Sequence, residues 1–235
     1  MLIGVISDVH GNDIGLDACL KLFSNAGVAK IFFLGDAVGY LPDPRRAMDM
    51  LRSAGANCLL GNHDAMLLGL IEIDEQRDRV YQINASKKCI SSKYIQELKG
   101  RLPYLVVEIE NKTVLFVHGS PWRPLTGYVF PDTNLAKFSL LPFDAIFMGH
   151  THRPFVSNQE NILLINVGSC GLPRDQGNLA SCAIYDSQSG ECRIYRVPFD
   201  AFALVEHLGE SIHDAVRECL LREATKEMVF GEIQG

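Results

Sequence analysis

The stretch LIGVISDVHGN, residues 2–12, joins a short apolar run to two polar side chains, Asp8 and His10, beside a glycine. A short apolar run bounded by glycine is typical of a buried strand, so both side chains follow the strand's carboxyl end. Open α/β sheets place their functional sites at that end. The stretch therefore predicts an α/β fold with a site at one edge of its sheet.

Four more segments repeat this pattern of an apolar run followed by glycine and a polar side chain. They read IFFLGDAVGY (31–40), NCLLGNHD (57–64), VLFVHGSP (114–121) and AIFMGHTHRP (145–154). They add Asp36, Asn62, His118, His150 and His152 to the first pair. If all five runs are strands, carboxylate, amide and imidazole groups meet in one crevice.

The first sixty residues have the periodicity of alternating strands and helices. Helical spacing predicts a helix over residues 14–26, with Gly27 as its C-terminal stop. KIFFLG is the second strand, and Asp43 and Pro44 are typical of the N-cap and first turn of a helix that ends near Gly55. NCLLGN then gives a third strand, so the order is βαβαβ and the strands are parallel.

The remainder is predicted to combine a helical insertion with a β-rich half. Residues 65–100 are polar with helical spacing, and we interpret them as an insertion that can act as a lid. A hairpin of LVVEI and TVLFVH turns at residues 110–112, and a loop rich in proline and aromatic residues spans 121–142. The strands AIFMG, ILLINVG, ASCAIYD and CRIYRV follow, and residues 200–231 are predicted as one C-terminal helix. We expect residues 1–235 to form one domain.

Composition excludes several classes of function. The formal charge is −6 and no run of Lys and Arg occurs, which argues against a general nucleic-acid surface. No apolar stretch approaches the roughly 18 to 20 residues of a membrane span, and no basic leader precedes the first strand. The seven cysteines form no CxxC pair, which fits reduced thiols in the cytoplasm. Nothing in the sequence indicates a homo-oligomer or excludes one.

The seven polar side chains have the chemistry of a metal centre. Asp8 with His10, and His150 with His152, are spaced to chelate one ion from extended chain. Four His, two Asp and one Asn are too many for one tetrahedral zinc, and they suit two ions that share a carboxylate. Asp36 is the expected bridge. Imidazole ligands favour Mn, Fe, Zn, Co or Ni over magnesium.

The charge of such a centre indicates an anionic substrate. Two divalent cations, two aspartates and a metal-bound hydroxide sum to about +1 in an otherwise acidic chain. Two metals can clamp a phosphoryl group and lower the pKa of a bound water from 15.7 towards about 7. The sequence therefore predicts hydrolysis of small phosphate esters.

These motifs resemble the calcineurin-like dinuclear metallophosphoesterases, whose pattern D-x-H, G-D, G-N-H-[DE], H-G, G-H-x-H occurs here in order. The resemblance covers at least residues 1–175. It implies a four-layer α/β/β/α sandwich with two mixed β-sheets, and two transition-metal ions, with manganese favoured. One ion would be held by Asp8, His10, Asp36 and His152, and the other by Asp36, Asn62, His118 and His150.

The resemblance also implies the catalytic groups. His63 would face the substrate beside the metals and protonate the leaving oxygen or stabilise charge on the phosphoryl oxygens. Asp64 would hold the other ring nitrogen of His63, and a metal-bound hydroxide would be the nucleophile.

The branch of the family follows from two segments. Protein Ser/Thr phosphatases and symmetrical dinucleoside tetraphosphatases have motifs that look like GDxVDRG and GNHE. This chain instead has GDAVGYLPDP and GNHD, and it lacks the arginine of DRG. INVGSCGLPRD is similar to the NPGS and PRD segments of small bacterial and archaeal phosphodiesterases, with Val167 in place of the usual proline. We expect a phosphodiesterase, acting on nucleotide-like diesters, or a phosphomonoesterase. The alternatives are a phosphoprotein phosphatase, or a non-catalytic scaffold like the retromer subunit of similar fold.

Other residues near the motifs have two readings each. Asn12 either contacts substrate or caps the first helix. The sequence is consistent with either a phosphate-binding role or a solvated side chain for each of Arg123, Arg153 and Arg174. Trp122, Tyr128 and Phe130 either stack a base or aromatic leaving group, or fill the core. For Cys170 we expect tight packing rather than catalysis.

Overall fold

Two mixed β-sheets form the centre of the structure, a computed structural model that describes residues 1–224 and 229–234. Numbered in chain order, the strands of the first sheet are β1 (Leu2–Ile6), β2 (Lys30–Phe33), β3 (Asn57–Cys58), β9 (Leu179–Asp186), β10 (Cys192–Pro198) and β11 (Glu232–Ile233), and their order is β11-β10-β9-β1-β2-β3. Those of the second are β4 (Tyr104–Ile109), β5 (Lys112–Val117), β6 (Ala145–Met148), β7 (Phe155–Gln159) and β8 (Ile162–Asn166), in the order β4-β5-β6-β8-β7.

Parallel strands lie where the sequence predicted them. β1 pairs parallel with β2, and β2 with β3, while β9 runs antiparallel to β1. In the second sheet β5, β6 and β8 are parallel, and β4 and β7 are antiparallel edge strands. The carboxyl ends of β1, β2 and β3, and of β5 and β6, therefore carry the predicted polar side chains.

The alternation of side chains along β1 separates two cores. Ile3 and Val5 enter the layer between the sheets, where Phe32 stacks on Phe116 of the opposite sheet at a centroid distance of 3.9 Å. Ile6 points the other way and joins the core between the first sheet and the helices. Because successive side chains of a strand face opposite sides, one apolar run supplies both layers.

The helices cover the first sheet. They are α1 (Asp13–Ala26), α2 (Arg45–Ser53), α3 (Asn62–Leu67), α4 (Glu75–Tyr81), α5 (Ile83–Cys89), α6 (Ser92–Lys99), α7 (Ala201–Leu208) and α8 (Asp214–Leu220), with 3₁₀ turns at Ala136–Leu140 and Gly209–Ser211. The 3₁₀ turn Ala136–Leu140 and its flanking loop cover the outer face of the second sheet through Val129, Leu135 and Phe138. The predicted four-layer α/β/β/α sandwich is confirmed.

Capping residues were predicted for the end of α1 and for the start of α2, and the first prediction is confirmed. Gly27 stops α1 in the left-handed conformation, at φ 72°, as predicted. Pro44, and not Asp43, occupies the N-cap position of α2, where no side chain makes a capping hydrogen bond. Asp43 instead holds Arg45, whose backbone N and Nε lie 3.0 and 2.9 Å from its carboxylate.

The helical insertion predicted over residues 65–100 is present as the end of α3 and as α4 to α6. Leu67, Ile83 and Leu98 pack into the core on the helix side of the first sheet. The insertion thus has an apolar face of its own, and its role as a lid stays a prediction.

One prediction near the C-terminus was wrong, and one strand of the second sheet was missed. The single helix over residues 200–231 is interrupted, because α7 ends at Gly209 with φ 52° and a 3₁₀ turn separates it from α8; residues 225–228 of that prediction lie outside the described residues. Strand β7, FVSNQ, was missed because Ser, Asn and Gln mask its alternation. Within residues 1–224 and 229–234, no helix has the length and apolar character to cross a bilayer.

A buried ion pair joins β10 to the loop after β8. Arg196, fully buried, donates from Nη2 to Asp175 at 2.8 Å and to the carbonyl of Leu179 at 2.9 Å. Because removing one partner leaves the other charge buried, we expect Arg196→Met to lower the free energy of unfolding by about 3 to 5 kcal/mol.

Urea denaturation of Arg196→Met and of Arg193→Met measures this effect. Arg193 lies on the same strand, but its side chain is 60% exposed and forms surface ion pairs, so its loss costs less than about 1 kcal/mol. Equal effects of the two substitutions would contradict the assignment.

Candidate metal centre

All seven predicted ligands follow the carboxyl ends of strands. Asp8 and His10 follow β1, Asp36 follows β2, His118 follows β5, and His150 and His152 follow β6, while Asn62 begins α3 after β3. The two sheets face one another, so these ends converge at one rim of the sandwich. All seven residues are buried, with exposures of 7% or less.

The backbone at the site is in an unusual conformation. Asp8, His10, Asp36, His150 and His152 have φ values of 56°, 48°, 63°, 66° and 58°. Residues other than glycine rarely adopt this left-handed region, and such residues cluster at functional sites. Hydrogen bonds between loops hold them there: Asp8 N donates to the carbonyl of Gly35 and His10 N to that of Asp36, both at 3.0 Å.

One cluster of ligand atoms is formed by Asp8, His10 and His152. Asp8 Oδ1 lies 3.3 Å from His152 Nε2 and 3.8 Å from His10 Nε2, and the two Nε2 atoms are 3.2 Å apart. Two ligands at about 2.1 Å from one ion, separated by 90° to 109°, lie about 3.0 to 3.4 Å apart. The 3.2 and 3.3 Å spacings lie in this range, and the 3.8 Å spacing corresponds to a wider angle of about 130°. The three atoms therefore suit one transition-metal ion.

The second cluster contains Asp36, His118, His150 and Asn62. One ligand atom from each of Asp36, His118 and His150 lies within 4.8 Å of the others, and His118 Nε2 is 2.8 Å from Asn62 Oδ1. Asp36 Oδ2 lies 3.5 Å from His118 Nε2 and 3.8 Å from His10 Nε2. One carboxylate oxygen therefore faces both clusters, which supports Asp36 as the bridge.

The second ring nitrogen of three histidines is held by a backbone carbonyl. His10 Nδ1 lies 2.9 Å from the carbonyl of Val38, His118 Nδ1 3.1 Å from that of Leu34, and His152 Nδ1 2.7 Å from that of Leu172. A carbonyl only accepts, so each Nδ1 carries the proton and each Nε2 offers a lone pair. This arrangement is usual for histidines that bind metals.

Unpaired polar atoms also fit a metal centre. Asp8 Oδ1 and His150 Nε2 are buried and have no hydrogen-bond partner among the described residues. Buried polar atoms are normally hydrogen-bonded, so orphaned ligand atoms indicate a missing partner. Carboxylate, imidazole and amide donors surround these atoms, so the residues present fit a metal ion.

The electrostatics agree with this fit. Burial, with a contribution from His152, lowers the pKa of His10 well below its usual value, and burial lowers that of His150 to about 3. These imidazoles are thus neutral and able to bind a metal. Burial, together with the charges of Asp8 and Asp64, raises the pKa of Asp36 well above its usual value. A cation beside Asp36 compensates the charge that burial disfavours.

His63 lies beside the clusters, but Asp64 does not hold its ring as expected. The Asp64 carboxylate accepts from the backbone N–H groups of Asp36 and Ala37 at 3.0 Å, and of Gly61 at 3.1 Å. His63 Nδ1 is buried without a hydrogen-bond partner among the described residues. Asp64 therefore positions the loop that carries Asp36 rather than the imidazole, because three backbone donors already occupy its oxygens.

Aromatic packing orients His63 instead. The rings of Tyr40 and Tyr81 lie 4.8 and 4.6 Å from the His63 ring. A Cβ at Gly39, where φ is +91°, would lie 2.4 Å from His63 Nδ1. The sequence analysis did not single out Gly39, Tyr40 or Tyr81. The Gly-Tyr pair that follows GDAV is a signal that could have identified Gly39 and Tyr40. No sequence pattern identifies Tyr81, which lies in the insertion.

Of the predicted phosphate-binding arginines, Arg174 lies at the site. Its Nη2 donates to Tyr40 Oη at 3.0 Å, and its backbone N donates to the carbonyl of His152. Its positive charge contributes to lowering the pKa of both His10 and His150. Arg123 and Arg153 are exposed.

Asn12 has the capping role. Its side chain accepts from Gly15 N at 3.0 Å and donates to the carbonyl of Gly171 at 2.7 Å. Both ends of the amide are engaged and the residue is fully buried, which argues against substrate contact. Cys170 is also fully buried, in the helix-side core, in line with a packing role.

The three aromatic residues for which two roles were considered have different surroundings in the structure. Tyr128 is 55% exposed, and its ring lies 4.1 Å from that of His150. Phe130 stacks parallel to Tyr128 at 5.7 Å. Trp122 packs instead on Phe138 at 4.7 Å, with Lys137 Nζ 3.8 Å from its ring centroid. Tyr128 thus forms a wall of the metal centre, whereas Trp122 belongs to the outer layer.

A sandwich of two sheets whose strand ends gather buried carboxylates and imidazoles defines the class of metal-dependent hydrolases. Residues 1–190 match the calcineurin-like phosphoesterase superfamily domain, and the chain belongs to this family. It is a phosphoric ester hydrolase. The family is metal-dependent, and the clusters described above are the candidate metal-binding residues.

Three similar proteins illustrate the relationship. An uncharacterized protein of Methanocaldococcus jannaschii is 37% identical over 217 residues, covering 85% of this chain and 88% of that protein. The phosphodiesterase YfcE of Escherichia coli is 24% identical over 181 residues, covering 77% of this chain and 85% of YfcE. The crystal structure of a metallophosphoesterase from Sphaerobacter thermophilus matches with a TM-score of 0.79 and 28% identity, covering 94% of this chain and 98% of that chain.

Proposed function

We propose that this protein is a phosphodiesterase that hydrolyses small diesters, including nucleotide-like ones, with two divalent transition-metal ions, manganese favoured. The observation that carries the proposal is the position of Asp36 Oδ2, which faces His10 and His118 of two separate ligand clusters. The YfcE relative, named a phosphodiesterase, supports a diester substrate.

The residues present would hold the ions in two sets. Asp8, His10, Asp36 and His152 suit one ion, and Asp36, Asn62, His118 and His150 suit the other. Bound there, the ions supply Lewis acidity towards the phosphoryl oxygens and lower the pKa of water.

His63 is the proposed proton donor to the leaving oxygen. One of its ring nitrogens lies within 4.8 Å of ligand atoms of both His10 and Asp36, next to where a bound phosphoryl group would sit. Tyr40 and Tyr81 fix the plane of the ring, so the imidazole is oriented without a carboxylate partner. An oriented imidazole is the commonest group for this task.

Arg174 is the proposed anchor for the phosphate oxygens. Its one side-chain hydrogen bond within the described residues goes to Tyr40, which leaves guanidinium donors for substrate. It would supply the positive charge that GDxVDRG provides in related phosphatases, from the opposite half of the chain.

Arg174→Ala should lower kcat/KM by about 10- to 100-fold, mainly through KM, because a hydrogen bond to a charged group contributes about 1.5 to 3 kcal/mol. Steady-state kinetics of this variant and of Arg46→Ala measure the effect; the Arg46 side chain is 79% exposed, and its loss should leave kcat/KM unchanged. An unchanged KM in Arg174→Ala would contradict the proposal that Arg174 binds the phosphate oxygens.

Tyr128 is the proposed contact for a base or aromatic leaving group. It combines 55% exposure with a ring 4.1 Å from His150, so part of it is free beside the metal centre. Aromatic stacking favours aryl and nucleoside esters over alkyl esters.

The test is hydrolysis of an aryl phosphodiester and the matching monoester by metal-stripped protein, with and without manganese. We expect manganese-dependent turnover, faster on the diester. Faster turnover of the monoester would show that the substrates are phosphomonoesters and not diesters. No turnover with any divalent ion would contradict the proposal.

The partner we propose is a small anionic ester rather than nucleic acid or membrane, in keeping with the absence of basic runs from the sequence. We also propose a cytoplasmic location, since all seven cysteines, which lie within the described residues, are free thiols.

A further inference from the structure

Strand β4 exposes an apolar edge of the second sheet. It lies at the end of the sheet order, next to β5 alone. Tyr104, Leu105 and Val106 in this strand are 48%, 37% and 45% exposed. Leu102, just before the strand, is not part of the free edge, because its carbonyl accepts from Leu60 N at 2.9 Å. Within Tyr104–Ile109 only Glu108 is charged. Exposed edges of this kind are sites of pairing with another chain, unless charged side chains, proline or a bulge block them. Tyr104–Ile109 contains neither lysine nor proline, and its one charge, Glu108, lies near the end of the strand.

The other edge strands within the described residues are less suited to pairing. β3 and β11 have two residues each. β7 is five residues long, but its outer half is Ser157, Asn158 and Gln159. β4 is therefore the longest and most apolar free edge of the described chain.

The backbone of β4 shows which residues face outward. His118 N donates to the carbonyl of Pro103, and the register pairs Tyr104 with Val117. In an antiparallel ladder, the N–H and C=O groups of alternate residues point to opposite sides. Residues 103, 105, 107 and 109 thus bond to β5, while Tyr104, Val106 and Glu108 present their N–H and C=O groups to the open edge.

This outward set is self-complementary. Its centre is Val106, so a second β4 placed antiparallel about a two-fold axis at Val106 sets Val106 opposite itself and Tyr104 opposite Glu108. Every outward N–H then meets an outward C=O, giving about six backbone hydrogen bonds. The tyrosine hydroxyl is also opposite a carboxylate, so no like charges face one another.

We propose that the protein forms a two-fold homodimer in which β4 pairs antiparallel with β4 of a second copy, joining the two five-stranded sheets into one. A second copy suits this edge because the two-fold at Val106 also pairs complementary side chains: Tyr104 of each copy lies opposite Glu108 of the other, so the polar groups meet twice. Two-fold dimers are also the commonest soluble oligomers. The inference does not depend on the proposed substrate.

The test uses the fact that position 106 would face itself. Light scattering after gel filtration should give twice the chain mass of 26.0 kDa for the wild type. Val106→Lys and Val106→Asp should each be monomers, because like charges meet at the axis. An equimolar mixture of the two should regain the dimer mass. Leu140→Lys, at a residue 85% exposed in the outer layer, is the matched control and should stay dimeric.

A monomeric wild type up to about 100 µM would overturn the proposal, as would a dimer in both charge variants or a mixture that stays monomeric. If the variants fail to fold, hydrogen exchange of the wild type decides. The amides of Tyr104, Val106 and Glu108 should exchange more slowly at high than at low protein concentration, and equal rates would overturn the proposal.

Discussion

Replacing Asp36 with asparagine is expected to lower turnover at least about 1,000-fold, on the order of 4 kcal/mol of transition-state stabilisation. Its Oδ2 faces both ligand clusters, 3.8 Å from His10 Nε2 and 3.5 Å from His118 Nε2. Asparagine removes the negative charge that both ions would share. The substitution therefore weakens the whole centre rather than half of it.

The substitution should spare the fold. Asp36 Oδ1 accepts from His63 N at 2.7 Å, and the oxygen of asparagine can accept the same hydrogen bond. Turnover with manganese, and metal content by elemental analysis, measure the effect. Asp17→Asn is the control, since Asp17 forms only a surface ion pair with Lys21. Turnover within tenfold of wild type would contradict the bridging role.

His63→Ala is expected to lower kcat by about 100- to 10,000-fold while both metals stay bound, because general acid catalysis contributes in this range. The loss should be greater for an alkyl or nucleoside leaving group than for an activated aryl group, which departs without a proton. Comparing kcat on the two substrate types measures this difference.

His207→Ala is the control for removing an imidazole, since His207 is exposed on α7. An equal loss on both leaving groups would assign His63 to stabilising phosphoryl charge instead. Loss of metal together with activity would make it a ligand.

The convergence of the candidate ligands could be predicted because they follow strands that are recognisable locally. Apolar runs ended by glycine mark parallel strands, and parallel strands bring their carboxyl ends together. Asp8, Asp36 and His118 could thus be assigned to one crevice before their distances were known. The capping of α1 by Asn12 and Gly27 is local in the same way.

The features that were missed depend on tertiary contacts. Asp64 is adjacent to His63 in sequence, yet its carboxylate turns to the backbone of Asp36 and Ala37, which no local pattern encodes. Tyr81 reaches His63 from the insertion, eighteen positions along the chain. With the break at Gly209, Val205 of α7 and Val216 of α8 pack in the same core. The direction of Tyr128 towards His150, and of Trp122 away from it, also arises only on folding.

Anomalous diffraction from crystals of the manganese-loaded protein tests the central claim most directly. We expect two peaks per chain, one among Asp8, His10, Asp36 and His152, and the other among Asp36, Asn62, His118 and His150. Two metals in one catalytic centre lie about 3.5 to 4 Å apart, and the peaks should share Asp36 at that separation. A single peak, or peaks away from Asp36, would contradict a dinuclear centre.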